Sequence, residues 1–344
     1  MSDWNWVMTP VSGRKICVLG GGAMGTACSI LLARRGSDAV SLWFRSREYA
    51  SDAMNSRVNE RLLPGVRIPE NVNITSDPVA VRETDVVVVC VPTRGIRTAL
   101  GTMRKLLPPD AIYVSAVKGI EADTLVRPSQ MIREVVGDVS VVVLGGPCHA
   151  EEVAVGKPAS IVAASDSATA AEVIQTLFSS DTLRVYSNTD LAGVELAGAL
   201  KNVIAIAAGI CDGLELGDNA KAALITRGLA EMVRFGTAMG VQPDTFFGLA
   251  GIGDLFATCG SRHSRNRLVG ERLGRGHSLA EIQTSMAAVA EGVFTARSII
   301  DIARKKGIEM PIAVEVYRVL FENKSPAEAT EALMQRPLRD EAFT

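Results

Sequence analysis

Most of the chemistry available to this chain of 344 residues is concentrated in one glycine-rich turn and a few polar residues set among apolar ones. Gly20, Gly22 and Gly25 form GxGxxG directly after an apolar run and directly before a helical pattern. In that setting the first glycine permits a tight turn. The second lets backbone approach a diphosphate, and the third lets the helix pack close to the strand. The diphosphate would lie at the helix N-terminus, where free N–H groups and the helix dipole favour an anion. The alternative is a glycine turn with no ligand. An Asp or Glu about twenty residues on would accept from the 2′-OH of NAD. At that point stands Arg45, with Arg47 nearby. A guanidinium pairs with a 2′-phosphate and stacks on adenine. NADP(H) is therefore favoured, with NAD(H) still open if Arg45 is a surface charge that stacks without discriminating.

Lys201 lies in GVELAGALKNVIAIAAGIC, residues 193–211. Its neighbours at helical spacing are Val194, Ala197, Gly198, Ile204, Ala205 and Ala208, none of which can pair with an ammonium. Glu195 lies on another face. Desolvation lowers a lysine's pKa and suits it to proton exchange near neutrality; the alternative is a lysine that snorkels to water. Asn202 follows and could donate to a substrate oxygen or phosphate. Lys118 comes just after the apolar run Ile112–Ser115, where ligands bind in parallel-sheet proteins, or is an ordinary loop charge. Gly145–Glu152 (GGPCHAEE) offers backbone N–H groups and His149, a possible base but more readily a structural loop histidine. Asp254 is the one acid in Gly248–Cys259, either a helix cap or a partner for a buried cation. Ser264, Arg265 and Asn266 put a hydroxyl, a guanidinium and an amide in tandem, suited to a phosphate or simply a polar loop.

The elements that must hold these residues are of two kinds. Up to about residue 189, apolar runs alternate with helical patterns. The strand candidates are Lys15–Leu19, Ala39–Phe44, Val86–Val91, Ile112–Ser115 and Val139–Leu144, with Ser160–Ala164 and Leu183–Tyr186 as outer strands. Such continuous apolar strands predict a doubly wound parallel sheet of Rossmann type, covered on both faces. Leu62–Asn73 is proline-rich and predicts a loop. From Asp190 onward helical periodicity dominates. The expected organisation is an N-terminal extension (1–13), a dinucleotide-binding α/β domain (14–189) and an all-helical substrate domain (190–344).

Composition narrows the function classes. Lys plus Arg number 36 and Asp plus Glu 38, for a net charge of −2. That balance argues against nucleic acid or an anionic membrane as partner. No apolar run is expected to reach the ~18 residues of a membrane span, and the N-terminus lacks a signal-peptide pattern. The six cysteines contain no CxxC and the three histidines no metal-ligand spacing, so no metal is expected and a reducing, cytoplasmic location fits.

The chain resembles the bacterial-type NAD(P)-dependent glycerol-3-phosphate dehydrogenases. The resemblance rests on GGGAMGTA, LWFRS, LPGVRIPENV, VPTRGIR, SAVKGIE, GGPCHAEEVA, VELAGALKNVIAIAAGICDGL, GLAGIGDL, SRN, VAEGV and EALMQRP, in that order along nearly the whole chain. It implies reduction of dihydroxyacetone phosphate to sn-glycerol 3-phosphate for glycerophospholipid synthesis, by a cytoplasmic enzyme that is often a homodimer. It also implies roles residue by residue. Lys201 would be proton donor and acceptor, with Lys118 near the reacting carbonyl. Asp254 and Thr258 would line the substrate site. Asn202, Ser264, Arg265 and Asn266 would contact phosphate and glycerol. Arg265, Val289 and Glu291, with Ala23, Met24, Arg45, Lys118 and Ala150, would contact the dinucleotide.

Two positions depart from the family pattern. Ala23-Met24 replaces a pair ending in Trp, and Cys148 replaces a Ser, which removes one hydroxyl from the substrate site while Gly146 still offers backbone. Two other readings share the architecture. One is a β-hydroxyacid dehydrogenase or ketol-acid reductase, which would not need the phosphate-binding Arg265. The other is an NADP(H)-sensing protein, which would not need Lys201, Lys118 or Asp254.

Overall fold

The computed structural model describes residues 13–341 apart from 37, 123, 287–289 and 339. The expectations for the extension before Gly13 and for Val289 lie outside the described residues.

The chain opens with β1 (Lys15–Leu19), α1 (Ala23–Ala33), β2 (Ala39–Trp43) and α2 (Arg47–Ser56). A short pair, β3 (Val58–Asn59) and β4 (Leu63–Arg67), precedes β5 (Val72–Thr75). Then come β6 (Val86–Val89), α3 (Ile96–Met103), β7 (Ile112–Ser115), α4 (Pro128–Val136) and β8 (Val141–Gly145). The sheet region ends with α5 (Ala150–Ala154), β9 (Ala159–Ala164), α6 (Ala168–Phe178) and β10 (Leu183–Asn188). Eight strands form one sheet in the order β10-β9-β8-β7-β6-β1-β2-β5. All neighbours are parallel except β8 and β9, which pair antiparallel with Leu144 opposite Ala163.

Alternation across the sheet explains the unbroken apolar strands. Ile16, Val18, Val86 and Val88 enter the core under one face. Cys17, Leu19, Val87 and Val89 enter the core under the other. A strand buried on both sides needs an apolar residue at every position.

Leu62–Asn73 departs from the expected loop. It contributes β4, antiparallel to β3, and the first residues of β5, which pairs with β2 at the sheet edge. The prolines fall outside the main ladder, and in β5 the alternate residues Val72 and Ile74 point inward and are buried.

After Asp190 the described residues are helical. They comprise α7 (Leu191–Gly213), α8 (Gly217–Ala238), α9 (Asp244–Phe247), a π-type turn (Leu249–Gly253), α10 (Asp254–Gly260), α11 (Arg265–Gly274), α12 (Leu279–Ser285), α13 (Glu291–Lys306), α14 (Pro311–Phe321) and α15 (Pro326–Met334). The hub is α7. Asp190 caps it through Gly193 N, and the same carboxylate accepts from Gln242 N and Thr245 Oγ1 to hold α9. Contrary to expectation, α7 is long and apolar enough to cross a membrane, with mean hydropathy 1.6 over 18 residues. That stretch is wholly buried inside the protein, as fits a helix apolar all round at the centre of a helical core. Its apolar side chains pack with those of α8, α11, α13 and α14 in one cluster.

Candidate active site

The glycine turn has the shape its spacing predicts. Gly20 takes φ +119°, a region costly for any residue with a Cβ. A Cβ on Gly25 would stand 1.9 Å from the Gly20 carbonyl oxygen, so α1 lies against the turn only because that atom is missing. A Cβ on Gly22 would meet nothing within 4 Å, which leaves open space over the turn. Gly22 is also the N-cap of α1, without a side-chain cap, and the first turn carries no acid. Exposed N–H groups, a positive helix end and an open approach are what a dinucleotide diphosphate requires, so the residues present fit that group. Asn59 braces the turn by donating to Gly21 O (3.0 Å) and Thr26 Oγ1 (2.9 Å).

Ala23 and Met24 open α1 and are half-buried. Arg45 follows β2 and is exposed. Ala150 begins α5, which packs against α1, and is buried.

The two lysines converge on one carboxylate. Lys201 Nζ donates to Asp254 Oδ1 at 2.6 Å, and Lys118 Nζ donates to Asp254 Oδ2 at 2.7 Å. These residues come from the middle of α7, the loop after β7 and the first turn of α10. Thr258, one turn along α10, accepts from Lys201 as its second partner. Lys118 also donates to Gly146 O (2.9 Å) and lies 3.6 Å from Cys148 Sγ. Gly146 holds φ +112°, and a Cβ there would crowd Ile161 backbone at 3.1 Å.

The lysines differ in their electrostatics. Lys201 is buried, and desolvation together with repulsion from Lys118 outweighs Asp254, bringing its pKa down to about 8. For Lys118 burial also opposes the charge, but Asp254, with a smaller contribution from Cys148, overcomes it and holds the ammonium above its ordinary value. Burial would raise the Asp254 pKa, yet the two ammoniums keep it below the usual carboxylate range. Two titratable groups driven apart by their surroundings mark an acid–base assignment.

A polar chain joins this centre to α11. Asn202 donates to Lys118 O (3.0 Å) and accepts from Asn266 Nδ2 (2.9 Å); Asn266 Oδ1 accepts from Gly292 N (2.9 Å). Ser264 caps α11 by accepting from Arg267 N. The Asn202 and Asn266 amides thus serve the protein's own network, and the exposed member of the set is Arg265 at the helix N-terminus. Its charge acts on Glu291, the first residue of α13. Glu291 Oε1 accepts from Thr93 N at 3.0 Å, across from the end of β6.

His149 stays apart from the lysines' hydrogen bonds. Its Nε2 lies 3.4 Å from Ala257 O, and burial lowers its pKa. Glu195, six residues before Lys201, is spent elsewhere: Arg127 Nη1, Ser129 N and Ser129 Oγ all donate to it.

Two features were missed in the sequence. Asp254 takes the second of its two expected roles, partner to a buried cation, but that one carboxylate holds Lys118 and Lys201 together is something no local pattern reveals. The approach of α11 to α7 had a signal: Gly209 and Gly213 face Gly270 and Gly274. A Cβ on Gly270 would stand 1.9 Å from Ile206 O, and one on Gly209 2.0 Å from Arg267 O.

Comparison with known proteins points to one family. Residues 15–171 match the model of the NAD-dependent glycerol-3-phosphate dehydrogenase N-terminus, and 190–331 that of the C-terminus. A glycerol-3-phosphate dehydrogenase [NAD(P)+] of Chlorobium phaeobacteroides is 48% identical over 331 residues, covering 95% of this chain and 99% of that protein. The crystal structure of the glycerol-3-phosphate dehydrogenase of Coxiella burnetii superposes with TM-score 0.90 at 35% identity, covering 94% of this chain and 99% of that one. A ketopantoate reductase of Ralstonia eutropha shares the fold alone, with TM-score 0.60 at 18% identity.

Proposed function

This chain belongs to the NAD-dependent glycerol-3-phosphate dehydrogenase family, and from that premise we propose that it reduces dihydroxyacetone phosphate to sn-glycerol 3-phosphate, reversibly, with Lys201 as proton donor and acceptor. It is an oxidoreductase that acts with NAD(P). The observation that carries the proposal is the single buried carboxylate of Asp254 held by both Lys201 and Lys118. In this reading residues 14–189 bind dinucleotide and 190–344 bind substrate. The protein works in the cytoplasm, as a homodimer, and its product feeds glycerophospholipid synthesis.

The division of labour follows from the two ammoniums. Lys118 stays charged and stabilises the oxyanion that develops from the C2 carbonyl. Lys201, with a pKa of about 8, gives its proton to that oxygen and recovers it in the reverse direction. Asp254 and Thr258 hold the Lys201 amine in place. Arg265, at the N-terminus of α11, pairs with the substrate phosphate and orients C2. When bound, NAD(P)H supplies the hydride. On the dinucleotide side, Gly20, Gly22 and Gly25 admit the diphosphate beside Ala23 and Met24, and Arg45 meets the 2′-phosphate of NADP(H).

The test is an absorbance assay at 340 nm with dihydroxyacetone phosphate and either NADPH or NADH. Oxidation of cofactor that depends on the ketone supports the reading, and a flat trace with both cofactors sinks it. Replacing Arg265 by Ala should raise KM for the phosphorylated ketone. Better turnover of an unphosphorylated keto acid by the parent protein would favour the hydroxyacid reductase reading instead.

A further inference from the structure

Thr93 lies within the VPTRGIR segment, and the resemblance gives it no role. It stands just beyond β6, only 3% exposed, and its hydroxyl oxygen makes no well-formed hydrogen bond, lying beside the Glu291 carboxylate instead. Its backbone N–H is already committed to Glu291 Oε1. Burying a hydroxyl without a partner costs stability, so such a group asks for a ligand.

Its surroundings say which ligand. A Cβ on Gly119 would lie 2.4 Å from Thr93 Oγ1 and 2.9 Å from Glu291 Oε2. Both oxygens therefore press on the one residue that lacks a side chain, directly after Lys118. Three segments meet there: the end of β6, the loop after β7 and the start of α13. Arg94, stacked 5.3 Å from the Phe294 ring, fastens the same two segments one residue and one helical turn further on. The spot is thus firmly built, lies beyond the carboxyl ends of adjacent parallel strands, and adjoins a lysine of the reaction centre.

An amide needs one hydrogen-bond acceptor and one hydroxyl or N–H donor side by side. Glu291 Oε2 accepts, and the Thr93 hydroxyl can donate. The ring carbon that carries the nicotinamide carboxamide adjoins the carbon that gives up hydride. A group that holds this carboxamide must therefore stand close to the lysines.

We propose that Thr93 and Glu291 clamp the carboxamide of the nicotinamide, which makes Thr93 a positioning residue for the cofactor's reactive ring. The proposal rests on the reading of this crevice as an NAD(P)H site. It separates Thr93 from residues that serve only the adenosine end, and it gives a use to a buried hydroxyl set beside the Glu291 carboxylate.

The experiment is equilibrium binding to the full-length protein, using NADPH and 2′-phospho-ADP-ribose, which lacks the nicotinamide. In Thr93→Val the Kd for NADPH should rise about tenfold, with that for 2′-phospho-ADP-ribose unchanged. Thr93→Ser should keep NADPH affinity within about twofold, since it retains the hydroxyl. The ligand-free Tm of Thr93→Val should equal or exceed that of the parent, because an unpaired hydroxyl is removed. Equal weakening for both ligands, or an unchanged Kd for NADPH, overturns the clamp. So does a drop in ligand-free Tm with no change selective for NADPH. A parent protein that binds neither NADPH nor NADH would overturn the cofactor reading itself, and that result precedes any variant.

Discussion

Lys118 and Lys201 reach the same carboxylate at nearly the same distance, yet they hold their protons differently. Burial opposes the charge on both, and Lys201 also bears the repulsion of its neighbour. This asymmetry sets the sign of a pH profile. Reduction needs Lys201 protonated, so kcat/KM in that direction should fall as pH rises through about 8. Oxidation needs the free amine and should rise over the same interval. Asp254→Asn removes the charge that supports both ammoniums, so the midpoint should move to lower pH in both directions. A midpoint that stays put in that variant would mean that another group titrates. Lys201→Ala should lower turnover by about 10²–10⁴-fold, the range for loss of a general acid. NADPH affinity should persist in the same variant, measured by equilibrium titration. Near-normal turnover would refute the assignment.

Helix α11 carries Asn266 to Asn202, beside the lysines, and Arg265 towards Glu291, because its backbone runs almost against that of α7. Gly209 and Gly213 on one helix and Gly270 and Gly274 on the other make this possible. Gly270→Ala would drive a methyl into Ile206 O and part the helices. The expected loss is about 1–3 kcal/mol, the usual range for overpacking, read as a lower Tm. Because the N-terminus of α11 moves with it, KM for the phosphorylated ketone should rise more than kcat falls. A lower Tm with unchanged KM would separate the crossing from the substrate site. Elements of this kind mark the limit of what sequence shows. The valine run Val86–Val89 could be assigned by eye, because a strand buried on both faces leaves a continuous apolar signature. The helical face of Lys201 was equally legible, while Lys118 read as well as an ordinary loop charge as it did as a ligand-site residue. What joins them was not legible. Asp254 could be read as a buried cation's partner but not as the one carboxylate that both lysines share, and Thr93 meets Glu291 across 198 residues. The edge strand β5 was hidden because it is short and follows a proline-rich stretch that reads as a loop. Its pairing with β2 is a tertiary fact.

At the scale of the whole molecule, the helical core also holds a buried acid that the chemistry does not use. Glu231 of α8 accepts from Ile312 N at 2.5 Å and Ala313 N at 3.2 Å, the first free N–H groups of α14. Burial outweighs these donors and pushes its pKa up to about 7, from 4.5. The folded protein then keeps this proton up to about pH 7, whereas the unfolded chain releases it near 4.5. Between those values the unfolded state binds fewer protons, so this group's contribution to stability falls as pH rises, by about 3 kcal/mol in total. Lys201 acts in the opposite direction on the alkaline side. Its folded pKa of about 8 lies below the ordinary 10.5, so folding is penalised below pH 8 and relieved as pH rises from there toward 10.5. These two groups together press stability lowest between about pH 7 and 8, the interval in which the lysine must exchange its proton. Urea denaturation across pH 5–10 should show the acid-side decline in the parent and not in Glu231→Gln, which keeps one acceptor oxygen at the start of α14 and cannot titrate. In Lys201→Met the alkaline recovery should vanish while the acid-side decline remains. A Glu231→Gln profile that parallels the parent throughout would show that the carboxyl is already ionised in the folded core, held by the N-terminus of α14.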